Sequence, residues 1–485
     1  MRAFGCAVAI LVMAGCNCRS PAVTDGGTGG AGGGASTGGG AAAGGGVASG
    51  GGVASGGGAS SGGGGGASVG GGASAGGGSS ADGGSSADGG SSADGGSSED
   101  GVTAIDGGYA GDATCGDTSG LQQGAPWPMR GRCPSRISRS DVVGPVTPHR
   151  GFWITLGQFP NNWPIISSPT VDKYGTIYVG TGGAGLVALW PDGGTRWSYA
   201  PSSAAVRAGG TIVADDSIIY ADTDGNIVSL DRDGNVNWST NVSYPVNDAP
   251  LIGPDGTIYF GDQHGTVYAL HSDGGTWWTQ RPALGAIFGG ATQGSDGYVL
   301  VSDSATIWRF PPDGGSAPTP FGPGINSIVE SPVTVGPEGT IWYGSEDGYL
   351  CGNSPIGTKL FQIPYAFAGV NHFFNGPAAG FDDRVFFAGP GGSGALVDRT
   401  IYSGTNDGGS NTVYVLDAGV QAQLLIDGAG NIYAVAGQNL VSIAPDGGSN
   451  WSFYLDGEVQ SGIAMGADGT IYVGTVEGSV IAITP

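Results

Sequence analysis

The stretch Gly256-Thr257-Ile258-Tyr259-Phe260-Gly261 decides the fold, because it returns at nearly regular intervals along the chain. Close copies begin at Gly175, Gly339 and Gly469, and weaker copies centre on Tyr220, Leu300, Phe386 and Tyr433. With the aromatic position as a marker, the eight copies fall at residues 178, 220, 259, 300, 342, 386, 433 and 472, a mean spacing of 42 residues. A period of this length predicts a repeat architecture in which each copy is one supersecondary unit.

Each copy contains four short apolar segments separated by turns. The first turn reads Pro254-Asp255-Gly256 in the copy quoted above, and the third reads Ser272-Asp273-Gly274-Gly275. Aspartate bonds its own backbone in such turns, and glycine supplies the positive φ that tight hairpins need. The fourth segment ends in an aromatic residue, which is Trp197, Trp238, Trp278, Trp451 or, once, Phe361.

Four antiparallel strands in about 42 residues, repeated without a helical pattern, predict an all-β fold, an eight-bladed β-propeller of four-stranded antiparallel blades. The last copy stops at Ile483-Thr484-Pro485, after its third strand, and Phe152-Trp153-Ile154-Thr155 precedes the first copy. We therefore expect the N-terminal strand to close the last blade, to supply its tryptophan as Trp153 and to remove an exposed edge. The sixth copy has a second match at Thr400-Ile401-Tyr402-Ser403-Gly404, which leaves seven blades open.

The repeat resembles the pyrroloquinoline-quinone (PQQ)-type repeat, with its G-x-I-Y-V-G, A-L-D and terminal W, over residues 152–485. The preceding Trp127-Pro128-Met129-Arg130-Gly131-Arg132-Cys133 resembles the W-P-M-F-G-R-D segment that leads into such propellers, with Arg130 and Cys133 as departures. Among such propellers, the resemblance points to the lipoprotein of the outer-membrane barrel-assembly machinery, which binds its partner through the loops between blades.

The N-terminus reads as a lipoprotein signal and a tether. Residues 1–15 combine Arg2 with an apolar run too short to span a bilayer, and Met13-Ala14-Gly15-Cys16 resembles the bacterial lipobox, whose cysteine is acylated. An ordinary secretory signal or an uncleaved leader is the alternative. Residues 16–112 are rich in Gly, Ala and Ser and cannot bury a core, since 36 of the 75 residues from Gly26 to Asp100 are glycine. A lead-in segment, 113–151, and the propeller, 152–485, follow.

Export would place the remaining cysteines in an oxidising compartment. Cys115 and Cys133 both lie in the lead-in segment and are the expected disulfide pair. Cys351 falls in a strand pattern, where we expect a buried thiol, and Cys18 is left over.

The charge and the residue inventory exclude several function classes. The 16 basic and 40 acidic residues give a net charge of −24, which repels phosphate backbones and argues against a nucleic-acid partner. Quinone-dependent dehydrogenases of this fold use adjacent cysteines, which the chain lacks, and four histidines offer little for a metal or acid-base site. We expect no catalytic residues, no cofactor and no metal. The segments Asp222-Thr223-Asp224-Gly225-Asn226 and Asp231-Arg232-Asp233-Gly234-Asn235 look like the start of a calcium loop but lack its distant glutamate, so turn chemistry is favoured.

The loops between blades are richer in aromatic residues than the hairpin turns, and such clusters are typical of recognition surfaces. The alternative is that the aromatic rings fill the central channel or the space between blades. The candidate partner-binding residues are Trp163, Tyr244, Tyr365, Phe367, His372, Phe373 and Phe374. The sequence therefore predicts a lipid-anchored envelope protein at the outer membrane, either periplasmic or surface-exposed, whose monomeric, non-catalytic propeller binds envelope proteins. A carbohydrate- or small-ligand-acting enzyme at the channel mouth is the rival, and buried carboxylates outside the turns would favour it.

Overall fold

The computed structural model describes residues 115–156, 164–282, 285–303, 305–321, 332–345, 349–364, 376–388, 399–420 and 422–485. These residues form strands and turns, with one short 3-10 turn at Pro337–Gly339. Within those ranges, no helix has the length and apolar character needed to cross a bilayer. The expected all-β fold is confirmed.

The strands form eight four-stranded antiparallel sheets, the blades of a propeller. The first strand, β1 (His149–Thr155), belongs to the last blade. Blades 1 to 4 consist of β2 (Thr170–Val171), β3 (Ile177–Gly180), β4 (Leu186–Leu189) and β5 (Thr195–Tyr199); β6 (Gly210–Ile212), β7 (Ile218–Ala221), β8 (Asn226–Leu230) and β9 (Val236–Asn241); β10 (Leu251–Ile252), β11 (Ile258–Gly261), β12 (Val267–Leu270) and β13 (Thr276–Gln280); and β14 (Thr292–Gln293), β15 (Val299–Ser302), β16 (Ile307–Phe310) and β17 (Thr319–Phe321).

Blades 5 to 8 continue the same order from the inner to the outer strand. They consist of β18 (Thr334–Val335), β19 (Ile341–Ser345), β20 (Tyr349–Asn353) and β21 (Lys359–Pro364); β22 (Ala378–Ala379), β23 (Arg384–Ala388), β24 (Thr400–Thr405) and β25 (Ser410–Val415); β26 (Leu425–Ile426), β27 (Ile432–Ala436), β28 (Asn439–Ile443) and β29 (Ser449–Tyr454); and β30 (Ala464–Met465), β31 (Ile471–Gly474) and β32 (Ser479–Thr484) with β1 outermost.

The N-terminal strand closes the ring, as the sequence predicts. β1 runs antiparallel to β32, with His149 opposite Thr484 and Thr155 opposite Ser479. The sixth copy of the repeat is a single blade, because its two competing matches lie in neighbouring strands. Phe386 is in β23 and Tyr402 is in β24, and these two strands pair with each other. The propeller therefore has eight blades and not seven.

The tryptophans of the outer strands join each blade to the next. In blades 1 to 3 the indole Nε1 of Trp197, Trp238 and Trp278 donates to a carbonyl in the third turn of the following blade, at 2.8, 2.9 and 3.1 Å. A glycine of that turn lies against the indole, since a Cβ on Gly274 would be 2.5 Å from Trp238. This contact recurs with the repeat and explains why the turn ends in glycine.

The expectation that Trp153 supplies the missing tryptophan of the last blade is wrong. Phe152 takes that position: it packs against Gly193 of blade 1, and its ring centroid lies 6.2 Å from that of Tyr472. Trp153 is 44% exposed, with the Arg150 guanidinium 5.3 Å from its ring. Trp153 is the next residue along β1, so its side chain lies on the opposite face of the sheet; the β-bulge between Arg150 and Trp153 matches the one in the outer strand of blade 1, where Trp197 holds the position of Phe152.

Candidate functional site

The lead-in segment crosses the central channel of the propeller, and we call its residues 115–145 the plug. Backbone bridges join Leu121 to Val213, Trp127 to Val171 and Arg139 to Ile426, at the inner strands of blades 2, 1 and 7. The inner strands of blades 4, 5 and 6 also donate to it, from Gln293, Val335 and Ala379 to the carbonyls of Pro134, Ser135 and Ile137, each at 2.9 Å. The plug is therefore held by six blades through its backbone.

A disulfide links the beginning of the plug to its middle. Cys115 and Cys133 are bonded, with their Cα atoms 5.5 Å apart and 18 positions separating them in the sequence, and both side chains are buried. The adjacent cavity of about 70 Å³ is lined by the two cysteines together with Thr118, Gln122 and Arg132, among others. It has room for about two water molecules and is far smaller than a substrate pocket. Cys351, in β20, is buried as expected.

The Arg136 side chain of the plug is fully buried. Its Nε donates to the Ala291 carbonyl at 2.9 Å, and its Nη1 lies 3.4 Å from Oδ2 of Asp248. The same carboxylate oxygen lies 3.3 Å from Nη1 of Arg130. Gly290 makes this arrangement possible, because a Cβ there would be 2.2 Å from the guanidinium of Arg136 and 2.3 Å from the carboxylate.

The charges in this cluster stabilise one another. Burial raises the pKa of Asp248, but Arg130 and Arg136 outweigh it, so the pKa of this carboxyl lies below its ordinary value. Burial lowers the pKa of Arg136, and Asp248 opposes that shift. Asp248 thus stays ionised as the partner of two arginines, which leaves it unsuited to donate a proton near neutral pH.

The other two arginines of the plug are also committed to structural contacts. Arg132 donates to the Arg139 carbonyl at 2.7 Å and pairs with Asp141 at 2.6 Å. Arg139 donates to the Gly380 carbonyl and covers the ring of Phe381 at 4.2 Å. Sequence reasoning missed the position of this segment. The available signal was its charge: four of the chain's 16 basic residues fall within residues 130–139.

Tyr244 is the predicted partner-binding residue that the structure describes, and it is exposed at 42%. It lies in the loop between blades 2 and 3 and stacks on His264 of blade 3, with ring centroids 4.3 Å apart and an angle of 6° between the rings. Arg281 donates from Nε to the His264 carbonyl at 3.0 Å. Phe288, in the loop between blades 3 and 4, is 37% exposed, and its neighbour Ile287 is bonded to Asp262 of the His264 turn. We call Tyr244, His264, Arg281 and Phe288 the Tyr244 patch.

The remaining candidate residues stay predictions. Those that lie outside the described residues are Cys16, Trp163, Tyr365, Phe367, His372, Phe373 and Phe374.

The aspartates that resemble calcium ligands serve their own turns. Oδ1 of Asp222 accepts from the backbone N–H groups of Asp224 and Asn226, each at 2.9 Å, and Asp231 accepts in the same way from Asp233 and Asn235. Turn chemistry is thus the confirmed interpretation of both segments. Across the described ranges, no group of three or more His, Cys, Asp or Glu side chains is placed to hold a metal ion.

Comparison with known proteins places this geometry in a structural context. Residues 152–282 match the family described as outer membrane protein assembly factor BamB. The chain resembles PQQ-type propellers. BamB from Moraxella catarrhalis aligns over 70% of this chain and 100% of its own, at 14% identity and a TM-score of 0.52. No curated protein sequence matches the chain significantly.

Two enzymes share the same propeller fold. Quinohemoprotein alcohol dehydrogenase from Comamonas testosteroni aligns over 76% of this chain and 81% of its own, at 13% identity and a TM-score of 0.58. A europium-containing methanol dehydrogenase aligns over 75% and 98%, at 12% identity and a TM-score of 0.58. At such identities the likeness is one of fold, which hosts both enzymes and an assembly factor, so function has to be argued from the chain's own residues.

Proposed function

We propose that this chain is an envelope lipoprotein whose PQQ-type propeller is a non-catalytic protein-binding scaffold. The observation that carries the proposal is the plug, because residues 115–145 of the chain itself are hydrogen-bonded along the inner strands of the ring. A channel end filled by the protein's own backbone leaves the outer faces and the loops between blades as the surfaces that meet other molecules.

The state of the channel carboxylate supports this proposal over the enzymatic rival. Asp248 is buried and lies outside the hairpin turns, so it is the kind of residue that would favour an enzyme. Two arginines neutralise it, and its lowered pKa keeps it charged. A carboxylate held in this way stabilises the plug instead of serving as an acid-base catalyst.

The Tyr244 patch supplies the residue types of a recognition surface. Aromatic side chains such as tyrosine, together with arginine, dominate the binding energy of protein interfaces. Three loops contribute to the patch, and backbone hydrogen bonds between them, such as Gln263 to the Pro245 carbonyl at 2.9 Å, fix their relative positions. A preformed surface of this kind binds without a large ordering cost. The sequence also predicts an aromatic loop from Gln362 to Asn375, but Gln362 to Pro364 belong to strand β21 and residues 365–375 lie outside the described residues, so their part in recognition stays a prediction.

A pull-down from detergent-solubilised envelopes tests the scaffold proposal. We expect the full-length chain to retain specific envelope proteins, and Tyr244→Ala with Phe288→Ala to reduce their yield at unchanged melting temperature. Tyr454→Ala is the matched control, because Tyr454 is 54% exposed at the end of the outer strand β29 in blade 7, four blades from blade 3 around the ring. Equal yields for the patch variant and the control would exclude this patch as the interface.

The anchor needs its own test, since acylation requires the thiol of Cys16. We expect Cys16→Ser to leave the precursor uncleaved or to release the propeller in soluble form. Unchanged membrane retention and unchanged mobility on a gel would argue against the lipoprotein assignment.

A further inference from the structure

The disulfide determines where tension on the N-terminal chain enters the propeller. Any pull on the chain that precedes Cys115 passes through the sulfur–sulfur bond directly to Cys133. Residues 116–132 form a closed loop beside this path and carry little of the load. The next residues along the path are Pro134 to Ile137, whose carbonyls accept from three successive blades.

Arg136 follows Cys133 by three residues, and its side chain is fully buried. To leave the channel, its guanidinium must break bonds to the carbonyls of Ala291 and Ala249, at 2.9 and 3.3 Å, and separate from Asp248. Asp248 would then keep Arg130 alone of its two arginine partners, and a buried charge that loses a partner is destabilised. Ile137, also fully buried, leaves at the same time.

The strand that follows the plug is weakly placed to resist a pull by itself. β1 is the outermost strand of blade 8 and is hydrogen-bonded to β32 alone within its sheet. An edge strand pulled from one end loses its hydrogen bonds one after another. The plug lies between this strand and the source of the pull.

We propose that the Cys115–Cys133 disulfide and Arg136 form a mechanical anchor that keeps tension on the tether from reaching β1. The proposal rests on the proposed function, since a propeller held by its N-terminus to a membrane is the situation in which such tension arises. The anchor lets the tethered propeller withstand a pull from a bound partner without opening the ring.

Single-molecule pulling on the full chain tests the anchor, with cysteine-free tags at the N-terminal end of the tether and after Pro485. In the oxidised protein we expect the first rupture to be the release of the plug beyond Cys133. In Cys115→Ser with Cys133→Ser, we expect an additional earlier event that lengthens the chain by up to about 65 Å, because the 18-residue separation is no longer bridged. The wild type with reducing agent should behave in the same way.

Arg136→Met should lower the force at which the plug leaves. Arg309→Met is the matched control, because Arg309 also pairs with an aspartate, Asp296 at 2.6 Å, but at the surface. If Arg136→Met does not fold, Arg136→Lys and the serine pair carry the test. The anchor is refuted if the early event is missing in the serine pair, or if plug and β1 leave together at equal force in the wild type and the Arg136 variant. Because the pull acts on purified protein, this result does not depend on acylation of Cys16.

Discussion

Replacing Gly274 with alanine will weaken the joint between blades 2 and 3 far more than the same change at Gly297. Both glycines sit in hairpin turns at nearly the same positive φ, +83° and +79°. An alanine Cβ at position 274 would lie 2.5 Å from Cε3 of Trp238, whereas nothing lies within 4 Å of a Cβ at position 297. The pair therefore separates backbone strain from the contact with the tryptophan.

The magnitudes follow from these two terms. The left-handed conformation costs an alanine about 1–2 kcal/mol, and this cost is common to both variants. Forcing a methyl group into the packed joint adds about 1–3 kcal/mol at position 274. We expect a loss of unfolding free energy of about 2–5 kcal/mol for Gly274→Ala and about 1–2 kcal/mol for Gly297→Ala, measured by urea denaturation with tryptophan fluorescence.

A double-mutant cycle identifies the source of the difference. In a Trp238→Ala background, the indole is gone and Gly274→Ala should cost no more than Gly297→Ala, because residues in contact are not additive. Equal losses for the two glycine variants in the wild-type background would refute the argument, as would an undiminished loss at Gly274 after the tryptophan is removed.

Three further outcomes follow from the fold. Tyr220→Phe should leave the melting temperature unchanged or raise it, because the buried hydroxyl of Tyr220 has no hydrogen-bond partner. Tyr433→Phe loses the 2.9 Å hydrogen bond to the Asp427 carboxylate and should destabilise the fold by about 1–3 kcal/mol. Burial raises the pKa of Tyr259 to about 12, so the unfolded chain deprotonates first and stability falls as pH rises from about 10 towards 12; Tyr259→Phe should reduce that loss. Deletion through Thr155 removes plug and closing strand and should lower the melting temperature far more than deletion of residues 26–100; equal temperatures would contradict it.

Most of the fold could be predicted from the repeat, because each blade has the same turn residues and the same strand pattern. The turn aspartates and glycines fix four strands in every 42 residues or so, and the marker position, aromatic in seven blades and Leu300 in the other, falls in the second strand of all eight. The error at Trp153 is one of register, because this tryptophan comes one residue later in its outer strand than Trp197 does in blade 1. The segment Arg150-Gly151-Phe152 takes the place of Thr195-Arg196-Trp197, and a bulge at this point of the outer strand recurs in blade 1. Aligning tryptophan with tryptophan placed the strand one residue out of step.

The position of the plug could not be predicted from the repeat pattern, for a different reason. Its backbone bonds to each of the six blades through three residues at most, so its own sequence has no period that would reveal an element. Its arginines are of a type that is normally exposed. Arg136 is buried because Gly290 leaves space for its guanidinium and the Ala291 carbonyl, 155 positions away, accepts its hydrogen bond. The sequence around residue 136 gives no sign of either.

The same repeat limits where the proposed scaffold can recognise a partner. Eight blades built on one repeat present similar turns, and similar turns cannot distinguish one side of the ring from another. The differences lie in what the repeat does not specify: Gly290 and Asp248, which fix the plug in one orientation, and the loops between blades, which carry Tyr244 and Phe288. The first pair is buried and sets the rotational position of the plug. The second pair is exposed, so a partner of the proposed scaffold that binds one sector of the ring would contact these loops, among them the Tyr244 patch.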